Sequence, residues 1–387
     1  MSKHPFQLLR LSSIIIRYSL DDLFYFLPYA RALKPLHYFN PLYWLCNRKL
    51  SRGKRLRLGL EKAGPVFIKF GQILSTRTDL LPADIIAELS KLRDQVPAFA
   101  FSKAKKIIEG EFKQPLETLF KEFSHQALAS ASVAQVHSAV LNDGQNVVVK
   151  VLRPNIKAKI ISNLSLLSLG ASFIEKFSKN AAQLKAHAMM AEIQQTLLNE
   201  VDLTKEAAHA EKLKEFSQQD ASIYVPKIHW QLVAKKALVM EKIVGIPIAE
   251  SAKLQDYGVD LTHLATITLE VFYGQIFRDR YFHADLHPGN IFINVTQPKH
   301  PIIEVVDFGI VGKLSEEDQR YLAKNIIALI DRDYMRVAQL HKQSGWIPDT
   351  VSTQAFAHAM QKVIEPIFDK PLSEISLGQL LLRLIEA

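Results

Sequence analysis

The chain has 387 residues, of which 48% are hydrophobic and 22% are charged, a composition typical of globular proteins that excludes a largely disordered chain. Cys46 is the only cysteine, which excludes an internal disulfide and a cysteine-rich zinc site. The formal net charge of +9 is concentrated in residues 1–60, which hold eleven Lys and Arg and two Asp, whereas the charges of the remaining residues cancel.

This basic segment, residues 1–60, also contains ten aromatic residues. Basic clusters interleaved with Phe, Tyr and Trp suit the headgroup region of an anionic membrane. A helical subdomain with a solvated basic face explains the same composition equally well. A nucleic-acid interface is less favoured, since the sequence carries no nucleic-acid module signature. No run of about 20 apolar residues occurs, so we predict no bilayer-spanning segment in this sequence.

The first half of the chain predicts helices followed by strands. Residues 1 to about 126 repeat apolar side chains at spacings of three and four, with breaks at Pro65 and Pro82, which is typical of helices. Residues 128 to about 152 contain β-branched runs, the turn "NDG" and the continuous run "VVVK". These features predict a β-hairpin and a third strand.

The second half of the chain predicts mainly helices. Residues 155 to about 218 are helical in pattern, with "AEIQQTLLNEVDLTKEAAHAEKLKEF" read as one long helix. Two strands joined by "AKK" follow, and the later helices are interrupted by the short strands "NIFINV" and "IIEVVDFG". The terminal "SLGQLLLRLIEA" has the pattern of an uncapped amphipathic helix, so we expect the sequence to be a truncated fragment.

Three polar residues near the second pair of short strands indicate phosphoryl transfer. Asp285 and Asn290 lie five residues apart in "HADLHPGN", and Asp307 opens "DFG" 17 residues later. A phosphoryl transferase needs an Asp to orient the acceptor, and an Asn with a second Asp to hold the metal. The alternative is a buried polar turn capped by these side chains. His283 and His287 flank Asp285, and we interpret His283 as bracing this loop rather than as a metal ligand.

A lysine and three carboxylates complete the predicted chemistry. Lys150 ends "VVVK" behind the small-residue stretch "ASASVAQVH", where a kinase-like protein places the lysine that contacts nucleotide phosphates. A strand end exposed to solvent is the alternative. The carboxylates of Glu200, Asp202 and Glu206 form either a solvated face or partners for lysines, with Lys150 and Lys69 as the two candidates.

Six motifs, in this order, resemble the UbiB family of atypical protein-kinase-like proteins, specifically its bacterial branch: "KFGQ", "ASASVAQVH", "VVVKVLRP", "EVDLTKEAAHA", "HADLHPGN" and "DFG". The resemblance covers essentially the whole chain. It implies an α+β, two-lobed, atypical protein-kinase-like fold with an N-terminal helical extension that carries the KxGQ motif. The implied domains are the extension at residues 1–126, a small nucleotide-binding lobe at 127–244 and a larger helical lobe at 245–387.

The resemblance also implies roles for individual residues. Lys69 and Gln72 match the KxGQ motif of the extension, which is expected to cross the cleft where a protein substrate would dock. Glu200 and Asp202 match the ExD motif that engages this lysine. The remaining roles are a Glu206 pair with Lys150, the catalytic Asp285, magnesium ligands Asn290 and Asp307, a hinge at Glu241, and an alanine-rich nucleotide loop of Leu128, Ala129, Ser130, Ala131, Ser132, Val133, Ala134, Gln135 and Val136.

The implied function is binding of ATP or ADP with Mg²⁺, as an ATPase or as a small-molecule or protein kinase that supports ubiquinone biosynthesis. The expected location is the cytoplasmic face of the bacterial inner membrane, since family members continue into a C-terminal tail with two hydrophobic segments. Expected partners are anionic membrane lipids, prenylphenol precursors of ubiquinone and its biosynthetic complex, without nucleic acid. The alternative is a non-catalytic, nucleotide-gated, lipid-binding scaffold.

Two details of the motifs differ from common patterns. His209 stands where many members of the family have Asn, which puts a polar contact at that position in doubt. Alanines replace the glycines of a usual kinase loop, and a Cβ penalises positive φ. We therefore expect a stiffer loop, and a preference for ADP or a slow turnover.

Overall fold

The computed structural model describes residues 5–20, 50–75, 81–92, 96–177, 186–348 and 350–368. Most of the basic aromatic segment and the predicted C-terminal amphipathic helix lie outside these ranges. The chain divides into two compact units: the first comprises Met1–Glu211, Pro226–Val244 and Asp307–Gly309, and the second Lys212–Val225, Gly245–Val306 and Ile310–Ala387. The three predicted domains and their boundaries remain a prediction.

Within the described residues, the first unit begins with the helices α1 (Pro5–Arg17), α2 (Arg52–Ala63), α3 (Pro65–Ser75) and α4 (Ala83–Leu89). The Ser51 side chain caps α2 by accepting a hydrogen bond from the backbone of Lys54. Gly64, at φ 113°, ends α2, and Pro65 opens α3 at the first helical position, where its missing N–H is not needed. Buried apolar side chains on α2, α3 and α4 form one core cluster.

A five-stranded sheet forms the rest of the first unit's scaffold. After α5 (Phe101–Phe112) and the short α6 (Leu116–Leu119) come β1 (Phe120–Ser130), β2 (Ala134–Leu141) and β3 (Asn146–Leu152). The sheet is antiparallel with strand order β1-β2-β3-β6-β5, where β5 and β6 come later in the chain. Ile108 of α5 packs in a core cluster with Val147, Val149 and Val151 of β3, all of them fully buried.

The start of the sheet was predicted wrongly. Helices were expected to about residue 126, but β1 already begins at Phe120. Its first half carries mostly polar, exposed side chains, so the sequence lacks the alternation that identifies a half-buried strand. Pairing with β2 and ring contacts from Phe123 to Phe120 and to His137 at centroid distances of 5.4 and 5.3 Å hold it in place.

The described part of the first unit continues with α7 (Ile156–Phe177), α8 (Ala186–Asn199), β5 (Ile228–Val233) and β6 (Ala237–Glu241). It also contains most of α9 (Leu203–Ser217), whose residues from Lys212 onward are assigned to the second unit. The two strands joined by "AKK" are confirmed. The single long helix is wrong, because the chain breaks between α8 and α9. Asp202 precedes α9, and its Oδ1 accepts hydrogen bonds from the backbone N and the hydroxyl of Thr204, at 3.2 and 2.5 Å. An Asp in this position caps a new helix.

The second unit contains two small sheets. A four-stranded sheet has the order β4-β10-β9-β7, and β8 pairs with β11. The predicted short strands at β9 and β10 are confirmed. The new elements are β4 (Ile223–Tyr224), β7 (Ile246–Pro247), α10 (Ser251–Asp256), α11 (Leu261–Phe277), β8 (Tyr281–His283), β9 (Ile291–Asn294), β10 (Ile302–Val305) and β11 (Val311–Lys313).

In the described part of the second unit, these elements are followed by the helices α12 (Glu316–Ile330), α13 (Tyr334–Gln343) and α14 (Thr353–Phe368). Ser315 and Asp318 form a capping box at the start of α12. Val337 and Ala338 of α13 pack with Met360 of α14 in a separate core cluster. In the part of the chain that the structure describes, no helix has the length and apolar content needed to cross a bilayer.

Candidate active site

Lys150 lies at the centre of an ionic cluster in the first unit, in which Lys150 and Glu206 are largely buried and Asp307 is partly exposed. Side chains alternate between the two faces of a strand. Because Val147, Val149 and Val151 point into the core, Lys150 points to the opposite face of β3. Its Nζ donates to Glu206 Oε1 at 2.7 Å and to Asp307 Oδ1 at 2.9 Å. The sequence-predicted lysine, its helix glutamate and the DFG aspartate are therefore brought together.

Burial and charge act against each other in this cluster. Burial raises the pKa of Glu206 to about 7, even though the Lys150 ammonium favours the carboxylate. Burial opposes the charged form of Lys150, but Asp307 and Glu206 together outweigh it and raise the pKa of Lys150. The Asp307 carboxyl has a pKa of about 2, because Lys150 and Lys69 together overcome the opposing effect of burial.

Asp307 is held in a backbone conformation that is unfavourable for an L residue. Its φ is 63°, in the left-handed region. Such a residue costs on the order of 1–3 kcal/mol and persists only where the surroundings determine it. The hydrogen bond from Lys150 holds the side chain, which remains 45% exposed. The strained backbone thus belongs to the residue whose carboxylate is predicted from the sequence to be a metal ligand.

A second lysine joins the cluster from the N-terminal helices. Lys69 of α3 lies 3.2 Å from Glu200 Oε1, and the two side chains are 15% and 8% exposed. The charge of Lys69 also lowers the pKa of Asp307. The predicted contact between the KxGQ lysine and the ExD motif is confirmed for Glu200. The Asp202 carboxylate caps α9 through Thr204, and its part in the ExD motif remains a prediction.

The other two residues of the KxGQ motif fix α3 in place. Gln72 donates from Nε2 to the carbonyl of Leu92 at 3.2 Å. A Cβ on Gly71 would lie 2.5 Å from Leu92 Cδ1 and 2.7 Å from Leu60 Cδ1, so a side chain larger than hydrogen forces these leucines to move. Glycine thus allows the close packing that brings Lys69 to Glu200.

The predicted nucleotide loop is shorter than expected. Only residues 131–133 lie between β1 and β2, so Leu128–Ser130 and Ala134–Val136 belong to strand ends. None of residues 128–136, all of which the structure describes, has a positive φ, so the alanines fit without strain. The Ala131 backbone N–H donates to the Ala134 carbonyl at 2.8 Å, which closes the turn.

Arg153 is a functional candidate that sequence analysis missed. Its Nε donates to the Ala131 carbonyl and its Nη2 to Ser130 Oγ, both at 2.9 Å. Nη2 also donates to the carbonyls of Pro97 and Val96, at 3.0 and 3.3 Å. The Arg153 backbone N–H donates to the Val133 carbonyl at 2.8 Å. One side chain therefore ties the loop to the irregular segment before α5. The only sequence evidence for a role of Arg153 was its position in "VLRP", two residues after Val151.

Two further predicted positions lie in the first unit. His209 stands where many family members have Asn, and a polar contact at this position was therefore in doubt. The contact is present, since His209 Nδ1 lies 3.0 Å from the Phe308 carbonyl of the "DFG" segment. Glu241 ends β6, and its carboxylate accepts the Lys227 backbone N–H at 3.1 Å. The role of Glu241 beside a nucleotide base remains a prediction.

The second unit holds the predicted catalytic loop between β8 and β9. Asn290, 6% exposed, donates from Nδ2 to the Asp285 carbonyl at 3.0 Å. The fully buried His283 accepts the Asp285 backbone N–H on Nδ1 at 3.2 Å, and its Nε2 lies 3.1 Å from the Val306 carbonyl. The expectation that His283 braces this loop is confirmed. Because Asn290 uses its nitrogen, its side-chain oxygen is the atom that could coordinate a cation.

The chemistry of these donors fits magnesium. Taken separately, Asp307 of the first unit offers a carboxylate and Asn290 of the second unit offers an amide oxygen, and each is a hard ligand of the kind that Mg²⁺ prefers. Among the described residues no group of three or more His, Cys, Asp and Glu is placed to hold a metal ion. Magnesium is commonly held by one or two protein oxygens together with substrate phosphates and water. The donors present therefore suit a metal that arrives with a nucleotide.

Known proteins share both the motifs and the fold. Residues 91–341 match the ABC1 atypical kinase-like domain. A "Probable protein kinase UbiB" of Marinobacter nauticus is 47% identical over 383 residues, covering 98% of this chain and 70% of the relative. A protein of the same name from Azotobacter vinelandii is 47% identical, covering 98% and 71%. The chain belongs to the UbiB family of atypical kinase-like proteins. The predicted family membership is thereby confirmed.

A solved structure agrees with this UbiB-family assignment at the level of the fold. The complex of Rv3197 with erythromycin from Mycobacterium tuberculosis superimposes with a TM-score of 0.54. It has 23% sequence identity and covers 77% of this chain and 74% of that chain. The predicted mixed helix-and-sheet, atypical kinase-like fold is thereby confirmed for this UbiB-family chain.

Proposed function

We propose that this UbiB-family chain binds ATP or ADP with Mg²⁺ and catalyses phosphoryl transfer, either to water or to a small hydroxylated acceptor. The observation that carries the proposal is the buried cluster in which Lys150 donates to both Glu206 and Asp307. A buried lysine with two carboxylates is costly to assemble for stability alone, because removing charges from water carries a desolvation penalty. At a nucleotide site, the same lysine contacts the α and β phosphates while the glutamate fixes its position.

The proposed roles of the remaining residues follow from their chemistry. Asp307 in the first unit and Asn290 in the second would each offer an oxygen ligand to Mg²⁺, which when bound supplies charge neutralisation at the phosphates. Asp285 orients the acceptor hydroxyl and accepts its proton. Arg153 holds the backbone of the alanine loop in one conformation, so that little loop entropy is lost when a nucleotide binds.

Lys69 supports the choice of a small acceptor over a peptide. The lysine is held by Glu200 and acts electrostatically on Asp307, so the N-terminal helix α3 reaches the same cluster as Lys150. We infer that a peptide substrate competes with α3 for this position, which disfavours ordinary protein-kinase activity. By family resemblance, we propose support of ubiquinone biosynthesis as the biological role. The proposed surroundings are the inner membrane, with prenylphenol precursors and the biosynthetic complex as partners.

One observation favours a second candidate, a non-catalytic nucleotide-gated scaffold that binds lipid. Lys69 adds a second positive charge beside Asp307 and favours its carboxylate without any metal. Such a charge repels Mg²⁺ and weakens its binding. A protein that senses the nucleotide without turning it over tolerates this arrangement better than an efficient enzyme does.

Phosphate release from ATP by the purified full chain separates the two functions. We expect Mg²⁺-dependent turnover that falls at least a hundredfold in Asp307→Asn and in Asp285→Asn. The matched control is Asp256→Asn, an exposed carboxylate at the end of α10, for which we expect turnover within twofold of the unmodified chain. Turnover that persists in Asp307→Asn overturns the enzymatic proposal. Nucleotide binding without any turnover supports the scaffold.

Addition of vesicles and prenylphenols tests the proposed biological setting. We expect vesicles of anionic phospholipid to raise turnover relative to zwitterionic vesicles, and a short-chain prenylphenol to raise it further. Equal turnover with both vesicle types and no response to the phenol would remove the membrane and ubiquinone parts of the proposal. The phosphoryl-transfer part would remain.

A further inference from the structure

A cavity of about 610 Å³ lies in the first unit, and its walls include none of the ionic cluster of Lys150. It is bounded by α1, the junction of α2 and α3, the segment before α5 and the start of α7. Small-molecule sites in proteins typically enclose about 300–1,000 Å³. The cavity therefore has room for one ligand molecule outside the ionic cluster of Lys150.

Most of the cavity wall is apolar. Leu11, Val66, Phe67, Phe99 and Ile156 line it. Val66, Phe67 and Ile156 are each only 5% exposed, so the wall is formed by packed core side chains. Burying an apolar chain here gains about 25 cal/mol for each Å² removed from water. The wall thus favours a ligand with a hydrocarbon portion.

The charged groups of the cavity all have the same sign. Lys103, Arg153 and Lys159 line it, and no Asp or Glu is among its described lining residues. Arg153 donates its side-chain hydrogen bonds to carbonyls and one hydroxyl, which leave its positive charge uncompensated. Lys103 and Lys159 are exposed, and in the described part of the chain neither forms an ion pair with a carboxylate. Three cations beside an apolar wall are complementary to an anion with an apolar tail.

We propose that this cavity binds a single-chain anionic amphiphile, with its hydrocarbon chain against Val66, Phe67 and Ile156 and its carboxylate or phosphate beside Lys103 and Lys159. A free inorganic anion does not use the apolar wall, and a neutral lipid does not use the cations. A ligand that carries both portions satisfies the whole lining. The cavity adjoins the proposed nucleotide loop through Arg153 but contains no residue of the ionic cluster of Lys150, and its occupancy is tested without nucleotide.

Calorimetric titration of the full chain with four probes below their micellar concentrations tests the proposal. Decyl phosphate and decanoate carry the two candidate head groups, decanol lacks a charge, and inorganic phosphate lacks the chain. We expect one-to-one binding of at least one anionic amphiphile, at least tenfold tighter than decanol, and no saturable binding of inorganic phosphate. The tighter of the two anionic probes identifies the preferred head group.

Two double variants locate the binding. The double variant Lys103→Gln with Lys159→Gln removes the two lysine charges that line the cavity. We expect its affinity for the anionic probe to fall at least tenfold and its affinity for decanol to stay unchanged. The matched control is Lys106→Gln with Lys157→Gln, exposed lysines of the same two helices that do not line the cavity; we expect affinity within twofold. All four lysines are exposed, so folding is not at issue. Absence of binding, equal affinity for decanol, or equal loss in both double variants overturns the proposal.

Discussion

Replacing Arg153 by Met should release the nucleotide loop while leaving the chain folded. Methionine keeps an apolar stem of similar length but removes the hydrogen bonds to Ser130, Ala131, Val96 and Pro97. Because Nη2 carries two hydrogens and serves three acceptors, about three of the four bonds act at full strength. At about 1 kcal/mol for each hydrogen bond, the loop loses on the order of 3 kcal/mol.

Hydrogen–deuterium exchange measures this loss where it occurs. About 3 kcal/mol corresponds to a roughly hundredfold faster opening of the backbone. We expect that increase in peptides that cover residues 128–136, where the Ala131 N–H is bonded to the Ala134 carbonyl. The matched control is Arg336→Met, an exposed arginine whose side-chain hydrogen bond within the described residues is to Gln339 of its own helix. Exchange in the loop that changes less than threefold in Arg153→Met would refute the reasoning.

Three further changes address the ionic cluster and the helix that carries Lys69. Lys69→Met combined with Glu200→Gln removes both charges of the ion pair, so that neither is left buried without the other. This double variant should tighten Mg²⁺-dependent ADP binding about fivefold, because it removes a cation that repels Mg²⁺ near its proposed ligand. Unchanged Mg²⁺ dependence of ADP binding would contradict this expectation. Gly71→Val should lower the free energy of unfolding by about 1–3 kcal/mol through overpacking against Leu92, as a denaturant titration would show. Glu206 has a pKa raised from 4.5 to about 7, so its contribution to stability should be fully present below pH 4.5 and be lost as pH rises to about 7. This slope is at most ~1.4 kcal/mol per pH unit, and Glu206→Gln should remove it in denaturant titrations across that range.

The ionic cluster could be predicted from sequence because its members sit at defined points of regular elements. Lys150 ends an alternating apolar run, and Glu206 lies in the first turn of α9. The resemblance to the family then predicted that Glu206 pairs with Lys150, which the spacing of the residues alone left open. The capping role of Asp202 was not foreseen because one helix was expected where two exist. A capping Asp and a helix-face Asp look alike in a sequence until the helix boundary is known.

The support of the nucleotide loop could not be predicted, since it depends on contacts across long sequence distances. Arg153 bonds carbonyls 56 and 57 residues earlier in an irregular segment, and no periodic pattern marks such acceptors. The start of β1 was missed for a related reason. Its polar residues are held by pairing with β2 and by ring contacts of Phe123, so tertiary structure determined the strand against a weak local signal.

The most direct test of the central claim is calorimetric titration of ADP with and without Mg²⁺, in the unmodified chain and in Asp307→Asn. If the cluster of Lys150, Glu206 and Asp307 is a magnesium-nucleotide site, Mg²⁺ should tighten ADP binding at least tenfold in the unmodified chain. Asp307→Asn should abolish that gain while retaining weak, metal-independent binding. An equal gain from Mg²⁺ in both proteins, or no ADP binding by the unmodified chain, would contradict the account.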